Sequence, residues 1–338
     1  MGTPRIGIIG ARRCVQGIGE YVARNLAVLG ADVCAIAGTS QQSVAEAAES
    51  LQVRFDLLVR GYSSAERMMR DETLDAVAIC SPHRFHREHL RLALESGSHV
   101  LCEKPFVFDS GRKNLADATE IAEGFANAGL VLMVNQQWPY TLPAFHQCHP
   151  AVSLNGGMDR LEMLLAPADE GIGMIPNAMP HVLSMLFSSM SVGGRVEKIT
   201  FQRPGPGQLL LALNYVHESG EVRIRVRLVH GPVQPRPAGY AINGCTVLRR
   251  IDLATYDMFF ESLDTPLEAL DLNAGPQFGP SDHRGVLVPV EDPLRLLLAD
   301  FIRRIETPEN WSNVDDRILD NVRVLDDVYL AARIDFDG

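Results

Sequence analysis

The feature that most constrains the fold is a pair of short apolar segments separated by a stretch of helical length. The segments cover residues 76–80 and 98–102, and continuous apolar runs of this length are typical of strands buried on both faces of a parallel sheet. Apolar residues between them recur at helical spacing, and Gly97 provides the left-handed residue that ends a helix. This alternation predicts a parallel sheet in which strands are joined by helical crossovers.

Both segments end in residues that suit a ligand site. The first is followed by Ser81 and Pro82, and the second by Glu103, Lys104 and Pro105. Because proline has no N–H, it cannot continue a central ladder, so a loop must open at that point. Ligands of open parallel sheets bind outside the carboxyl ends of the strands. We therefore expect these residues to line one crevice.

The N-terminal residues predict the first strand and helix of a dinucleotide-binding unit. A β run is closed by Gly10, and an amphipathic helix follows at residues 16–29. Gly10 suits the tight turn, but the position two residues later, which is normally a glycine near the pyrophosphate, is Arg12. Gly17 and Gly19 follow a few residues later. They fit a loop in which inserted residues have moved the glycines that approach the pyrophosphate to later positions. An ordinary strand-to-helix turn is the alternative interpretation.

The second predicted strand ends without an acidic residue, in Gly38, Thr39 and Ser40. An acid at this position usually binds the ribose 2′-hydroxyl of NAD, and it would repel the 2′-phosphate of NADP. The sequence therefore favours NADP, with NAD as the alternative. The hydroxyls of Thr39 and Ser40 can donate to the phosphate, and Arg12 or Arg13 can approach from the neighbouring loop.

The alternation of strands and helices stops after the apolar segment at residues 130–134. Gln136 and Trp138, which follow it, are candidate substrate contacts, although a surface loop is the alternative. Further along, residues 222–228 alternate strictly between apolar residues and arginines, which indicates a half-buried antiparallel strand. We expect these arginines to be solvated or to lie in a subunit contact, and an anionic substrate is the less favoured alternative.

The composition excludes several classes of partner. The 338 residues carry a formal net charge of -11, which disfavours nucleic acid and anionic membranes as partners. Six cysteines are scattered without a CxxC pair, as expected of a reducing compartment. No apolar stretch is long enough to span a membrane. We therefore expect a cytoplasmic enzyme.

A family resemblance rests on residues 81–105. The matching residues are Ser81-Pro82, His86, Ala93-Leu94-Glu95-Ser96-Gly97, His99-Val100-Leu101-Cys102 and Glu103-Lys104-Pro105. This pattern resembles the glucose-fructose oxidoreductase, inositol dehydrogenase and rhizopine-catabolism family (Gfo/Idh/MocA). The resemblance implies a Rossmann NAD(P)-binding domain in residues 1–136. It also implies an α/β domain with a large open, mostly antiparallel sheet in residues 137–338, through which the chain would form a homodimer or homotetramer.

The resemblance also implies site residues. The family has an aspartate and a histidine four residues apart on a helix, and Asn177 and His181 look like their counterparts. His181 would then transfer the proton, Lys104 would hold the reacting oxygen or nitrogen, and Asn177 would orient the substrate. Asparagine cannot ionise, so any role of the aspartate's charge is lost at this position. The alternatives are a salt bridge from Lys104 to Glu103 and a core histidine at position 181.

Three histidines, His83, His86 and His89, lie three residues apart. No acid or cysteine completes a ligand set at the right spacing, so we expect no metal. His86 alone is family-like, as a neighbour of the nicotinamide.

These observations predict an oxidoreductase that prefers NADP and acts on a sugar, a cyclitol or a related polar carbonyl or imine. Two alternatives remain open at this point. One is a lyase or glycosidase of the same fold that retains its cofactor, and the other is a non-catalytic NADP-binding protein.

Overall fold

The computed structural model describes residues 2–12, 18–152, 157–232, 236–252, 257–270, 285–310 and 312–337. The chain forms two compact units. The first comprises Met1–Asn135 and Leu294–Val322, and the second comprises Gln136–Pro293 and Arg323–Gly338.

The first unit contains a six-stranded parallel sheet in the order β3-β2-β1-β4-β5-β6. The order reverses between β1 and β4, which is the arrangement of a Rossmann fold and confirms the prediction. Its elements in chain order are β1 (Arg5–Ile9), α1 (Gly19–Val28), β2 (Asp32–Ala37), α2 (Gln41–Phe55), β3 (Arg60–Tyr62), α3 (Ala65–Asp71), β4 (Ala76–Ile79), α4 (His86–Glu95), β5 (His99–Cys102), α5 (Leu115–Asn127) and β6 (Leu132–Val134).

Two helices begin later than the sequence predicts. Helix α1 begins at Gly19 rather than at residue 16. The sequence between residues 109 and 129 predicts one long helix, but helix α5 begins only at Leu115, because the side chain of Asn114 closes a turn before it. The Asn114 amide accepts a hydrogen bond from the Asp109 N–H at 2.7 Å and donates one to the Asp109 carbonyl at 3.2 Å.

The second unit contains an eight-stranded sheet in the order β14-β13-β12-β11-β7-β10-β9-β8. All neighbouring strands are antiparallel except β7 and β10, which confirms the predicted large and mostly antiparallel sheet. Its elements are α6 (Leu142–Cys148), β7 (Arg160–Leu165), α7 (Met174–Leu186), β8 (Arg195–Gln202), β9 (Gln208–His217), β10 (Gly220–Val229), β11 (Gly239–Ile242), β12 (Cys245–Ile251), β13 (Met258–Leu263) and β14 (Leu287–Val290). The last two helices are α8 (Pro293–Glu306), which belongs to the first unit from Leu294 onward, and α9 (Arg317–Asp337), which belongs to the first unit up to Val322 and to the second from Arg323.

The predicted alternating segment is strand β10, and two of its arginines are bound within the second unit. Arg225 forms an exposed ion pair with Glu268. Arg227 donates hydrogen bonds to the carbonyl oxygens of Leu267, Glu268 and Leu270. These two side chains therefore hold the segment after β13 and are engaged by the protein itself.

A C-terminal segment returns to the first unit. The N–H of Leu132 in β6 donates to the Asn313 carbonyl at 2.8 Å, and Ile318 and Val322 of α9 pack into the core of the first sheet. The sequence-based division at residue 136 did not include this return. Within the described ranges, no helix combines the length and the hydropathy that a membrane crossing requires.

Candidate functional site

Glycines allow close backbone contacts where β1 turns into α1. Gly10 has φ +85°, and a Cβ on it would lie 2.8 Å from the Ser81 backbone nitrogen. A Cβ on Gly19 would lie 2.5 Å from the Gly10 carbonyl oxygen. Only glycine fits at both positions, so the first turn of α1 lies directly against the end of β1. This close approach of backbone at a helix N-terminus is the arrangement that dinucleotide pyrophosphates require.

Gly19 was not predicted as a site residue from the sequence. The available signal was the presence of two glycines after Arg12, of which Gly19 lies where helix α1 packs against the end of β1. Arg13 and Gly17, which were predicted to contact the cofactor, lie outside the described residues.

The end of β2 leads into a capped helix. Ser40 is the N-cap of α2, and its hydroxyl accepts a hydrogen bond from the Ser43 N–H at 3.1 Å. Thr39 and Ser40 are both exposed. The guanidinium of Arg12 forms an ion pair with Glu46 of α2 at 2.6 Å. Arg12 therefore points to the helix that begins at the end of β2.

His86 joins the loops that follow β4 and β5. The side chain is fully buried. Its Nε2 lies 2.8 Å from the Ser81 carbonyl oxygen, and its Nδ1 lies 2.9 Å from that of Pro105 and 3.2 Å from that of Phe106. Burial lowers the pKa of the imidazole. Because both ring nitrogens face backbone oxygens, His86 fixes the spacing of the two loops.

A second histidine supports the same loop. The Nδ1 of His89 lies 2.9 Å from the Ser81 hydroxyl. Burial, with a smaller contribution from the neighbouring His86, lowers the pKa of His89 to about 4. The ring is therefore neutral at neutral pH. Pro82, the residue after Ser81, is exposed.

The loop after β5 carries an acidic residue, Glu103, followed by a basic residue, Lys104. Glu103 accepts a hydrogen bond from the side-chain amide of Asn135, which follows β6. Burial raises the pKa of Glu103, and the charge of Lys104 acts in the opposite direction. Lys104 is half-buried, and its peptide bond to Pro105 is cis. The acid and the amine that follow β5, and the amide that follows β6, thus lie at one edge of the sheet.

In the second unit, helix α7 presents Asn177 and His181 one turn apart, on the same face. The Asn177 amide donates a hydrogen bond to the carboxylate of Asp169, which lies in the exposed segment after β7. Sequence reasoning missed Asp169, although a carboxylate eight residues before Asn177 was the available signal. Asn177 itself cannot ionise, but it binds a group that can.

Trp138 belongs largely to the core of the second unit. Its side chain is 8% exposed. The ring makes edge contacts with His181, at 6.3 Å between centroids, and with Tyr240, at 5.9 Å. Trp138 therefore packs against the His181 ring. Gln136, the other predicted substrate contact, is half-buried directly after Asn135.

In the part of the chain that the structure describes, no three histidine, cysteine or acidic side chains are grouped as a metal site. His86 is already held by carbonyl oxygens, so it is not available to join His83 and His89 around an ion.

Comparison with known proteins supports this description. Residues 4–136 match the model of the oxidoreductase family with an NAD-binding Rossmann fold (GFO_IDH_MocA). The chain is 30% identical over 131 residues to a 1,5-anhydro-D-fructose reductase from Ensifer adhaerens, a match that covers 39% of this chain and 35% of the relative. It is 36% identical over 103 residues to a D-glucoside 3-dehydrogenase from Escherichia coli strain K12, covering 30% of this chain and 27% of the relative.

The chain thus spans only about a third of the length of these curated relatives. A likeness over the whole chain comes from solved structures. A UDP-N-acetylglucosamine 3-dehydrogenase from Acidithiobacillus ferrooxidans has a TM-score of 0.66 at 18% identity, with 99% of this chain and 98% of that chain covered. At this identity, the likeness extends the shared fold to both units.

Proposed function

We propose, from the match of residues 4–136 to the Gfo/Idh/MocA oxidoreductase family model, that the whole chain is an oxidoreductase of this family that prefers NADP. Its substrate is a sugar, a cyclitol or a related polar carbonyl or imine. The observation that carries the proposal is the pair of close backbone contacts at Gly10 and Gly19, on the sheet edge from which Lys104 extends. The names of the curated relatives, a reductase of an anhydro sugar and a glucoside dehydrogenase, support the substrate class.

The residues at this edge fit a dinucleotide. Gly10 and Gly19 let the first turn of α1 lie directly against the end of β1, and a pyrophosphate bound at this helix N-terminus would face the N–H groups of α1. Ser81, Pro82 and Glu103 would hold the nicotinamide half, with His86 setting the distance between their loops. When bound, NADP supplies the hydride acceptor or donor.

The preference for NADP rests on three side chains. Thr39 and Ser40 are exposed, and the Ser40 hydroxyl, which accepts a bond from Ser43, keeps its own proton for a phosphate oxygen. Arg12 supplies a positive charge beside α2. Residues 38–40 contain no acid that would repel the 2′-phosphate.

Lys104 and His181 are the proposed catalytic residues. The Lys104 ammonium would stabilise the reacting oxygen or nitrogen, and the His181 imidazole would take or give the proton. A positioned acid or base contributes about 10²- to 10⁴-fold in rate. Asn177 would orient the substrate, and the carboxylate of Asp169, held by Asn177, supplies a charge that this position otherwise lacks.

The test begins with NADPH and NADH titrations and a screen of keto-sugars, cyclitols and cyclic imines. We expect Lys104→Met to lower kcat/KM by about 10²-fold or more, while Lys113→Met, at an exposed lysine of the same unit, leaves it unchanged. His181→Gln is compared with His217→Gln in the same way. Equal affinity for both coenzymes would contradict the proposed NADP preference. Full turnover by the Lys104 variant would contradict the proposed mechanism.

Coenzyme stoichiometry separates the alternatives, because a dehydrogenase consumes coenzyme with each turnover and a cofactor-retaining lyase or glycosidase does not. A non-catalytic protein would bind coenzyme without turnover. We also propose a cytoplasmic homodimer or homotetramer formed through the eight-stranded sheet. Sedimentation of the protein at several concentrations tests the assembly.

A further inference from the structure

Two arginines lie beside the proposed substrate residues of the second unit. The guanidinium of Arg249, on β12, lies over the Trp138 ring at 6.0 Å from its centroid, and the same ring contacts His181. One terminal amine of Arg249 donates to the backbone carbonyl of Arg236 at 3.1 Å. The contacts therefore run from Arg236 through Arg249 and Trp138 to His181.

Arg249 is a partly buried cation without a counter-charge among the described residues. Its Nε atom is buried and meets no hydrogen-bond acceptor in the described ranges, and no carboxylate of those ranges forms an ion pair with it. The next residue, Arg250, differs in this respect, because its buried guanidinium pairs with Glu261. Of these two neighbouring arginines, Arg250 is neutralised by Glu261, and Arg249 has no acidic partner in the described part of the chain.

The charge of Arg249 persists at neutral pH. Burial, with a smaller contribution from the nearby cation of Arg236, lowers its pKa to about 10. A desolvated charge is costly unless a partner offsets it. Since Arg249 as a residue is only half-buried, that partner can be a ligand.

We propose that Arg249, together with Arg236, binds an anionic group of the substrate, either a carboxylate or a phosphate. A guanidinium presents a planar fork of N–H donors that matches both groups. The substrate would then be an acidic or phosphorylated sugar derivative. A local cationic site is required for it, because the net charge of the chain, -11, repels anions. This assignment rests on the proposed function, since it takes His181 as part of the substrate site.

The test measures thermal unfolding in sodium phosphate, sodium acetate and sodium chloride at equal ionic strength, without coenzyme. The variants are Arg249→Met, which keeps most of the side-chain length, and Arg225→Met, which removes an exposed arginine paired with Glu268. A ligand at about ten times its Kd raises Tm by roughly 2 °C in a chain of this size. We expect this rise over chloride in the wild type and in Arg225→Met, and its loss in Arg249→Met.

A rise in phosphate alone identifies a phosphate ester as the recognised group, and a rise in acetate identifies a carboxylate. The proposal is overturned if chloride has the same effect, or if Arg249→Met keeps the full rise, as it would for phosphate bound at the nucleotide site. If Arg249→Met fails to fold, the measurement is made on Arg249→Lys, which keeps the positive charge but lacks the planar fork of N–H donors. We then expect a smaller rise, and a full rise would contradict the proposal. Because no coenzyme or turnover is involved, failure of the oxidoreductase proposal is detected separately.

Discussion

The low pKa of His89 predicts that the protein loses stability in mild acid. Burial favours the neutral ring and holds its pKa near 4, whereas an unfolded chain has a histidine pKa of about 6.5. Below pH 6.5 the unfolded chain therefore takes up a proton that the folded chain does not. The stabilisation is fully present above pH 6.5 and is lost as the pH falls toward 4.

The size of the effect follows from the two pKa values. Between pH 7.5 and pH 5, linkage gives a loss of about 2 kcal/mol from this one ring. Solvent screening of the partly exposed ring reduces the loss to roughly 1 kcal/mol. In a chain of this size, that corresponds to about 1–2 °C in Tm.

The variant His89→Gln cannot titrate, but its amide can still hydrogen-bond to the Ser81 hydroxyl. We expect its unfolding free energy, measured by urea titration at pH 7.5 and pH 5, to fall by about 1 kcal/mol less than that of the wild type. His217→Gln is the matched control, because His217 also bonds to a serine, Ser219, at 2.7 Å in an exposed turn. If His89→Gln and the wild type lose the same stability in acid, the reasoning is refuted.

Three further predictions concern the cofactor and substrate residues. Glu46→Gln releases Arg12 from its ion pair and is expected to tighten NADPH binding about two- to fivefold without affecting NADH, as fluorescence titration would show; equal changes for both coenzymes would contradict this. Gly10→Ala places a Cβ 2.8 Å from backbone and is expected to weaken coenzyme binding more than tenfold, whereas Gly30→Ala, also at positive φ but in open space, keeps the affinity; similar binding by both variants would exclude the backbone contact as the cause. Asp169→Asn removes an exposed carboxylate and is expected to lower kcat/KM about tenfold or more at an unchanged urea midpoint, and a shifted midpoint would point to a structural role instead.

The elements that carry the first part of the site were visible in the sequence. Strands β4 and β5 are buried on both faces, so they appear as continuous apolar runs, and the residues that end them follow directly. Strand β3 was missed because it lies at the edge of the sheet, has only three residues and begins with a charge, Arg60. The start of α5 was missed because it depends on the side chain of Asn114, which closes a turn that propensity alone would have continued as helix.

The candidate site residues of the second unit were less accessible to sequence reasoning. Asn177 and His181 could be predicted because residues four apart share a helix face. Arg249 could not, because its environment consists of Trp138 and Arg236, which come from other segments. The alternating arginines of β10 gave a strong pattern, yet Arg225 and Arg227 are held by the segment after β13. Periodicity reports which face a residue lies on, whereas its charge partners are set by tertiary contacts.

The return of residues 294–322 to the first sheet determines how this protein can be divided for experiments. Strand β6 is the last strand of its sheet, and the Asn313 carbonyl accepts a hydrogen bond from the N–H of Leu132 along it. A recombinant piece ending at residue 135 would lose that cover and the apolar side chains of Ile318 and Val322, and it would present a bare strand edge to other molecules. We expect such a piece to aggregate. A shortened gene that joins residues 1–135 to 294–322 through a flexible linker would keep the edge of β6 covered, and we expect its product to fold without aggregating.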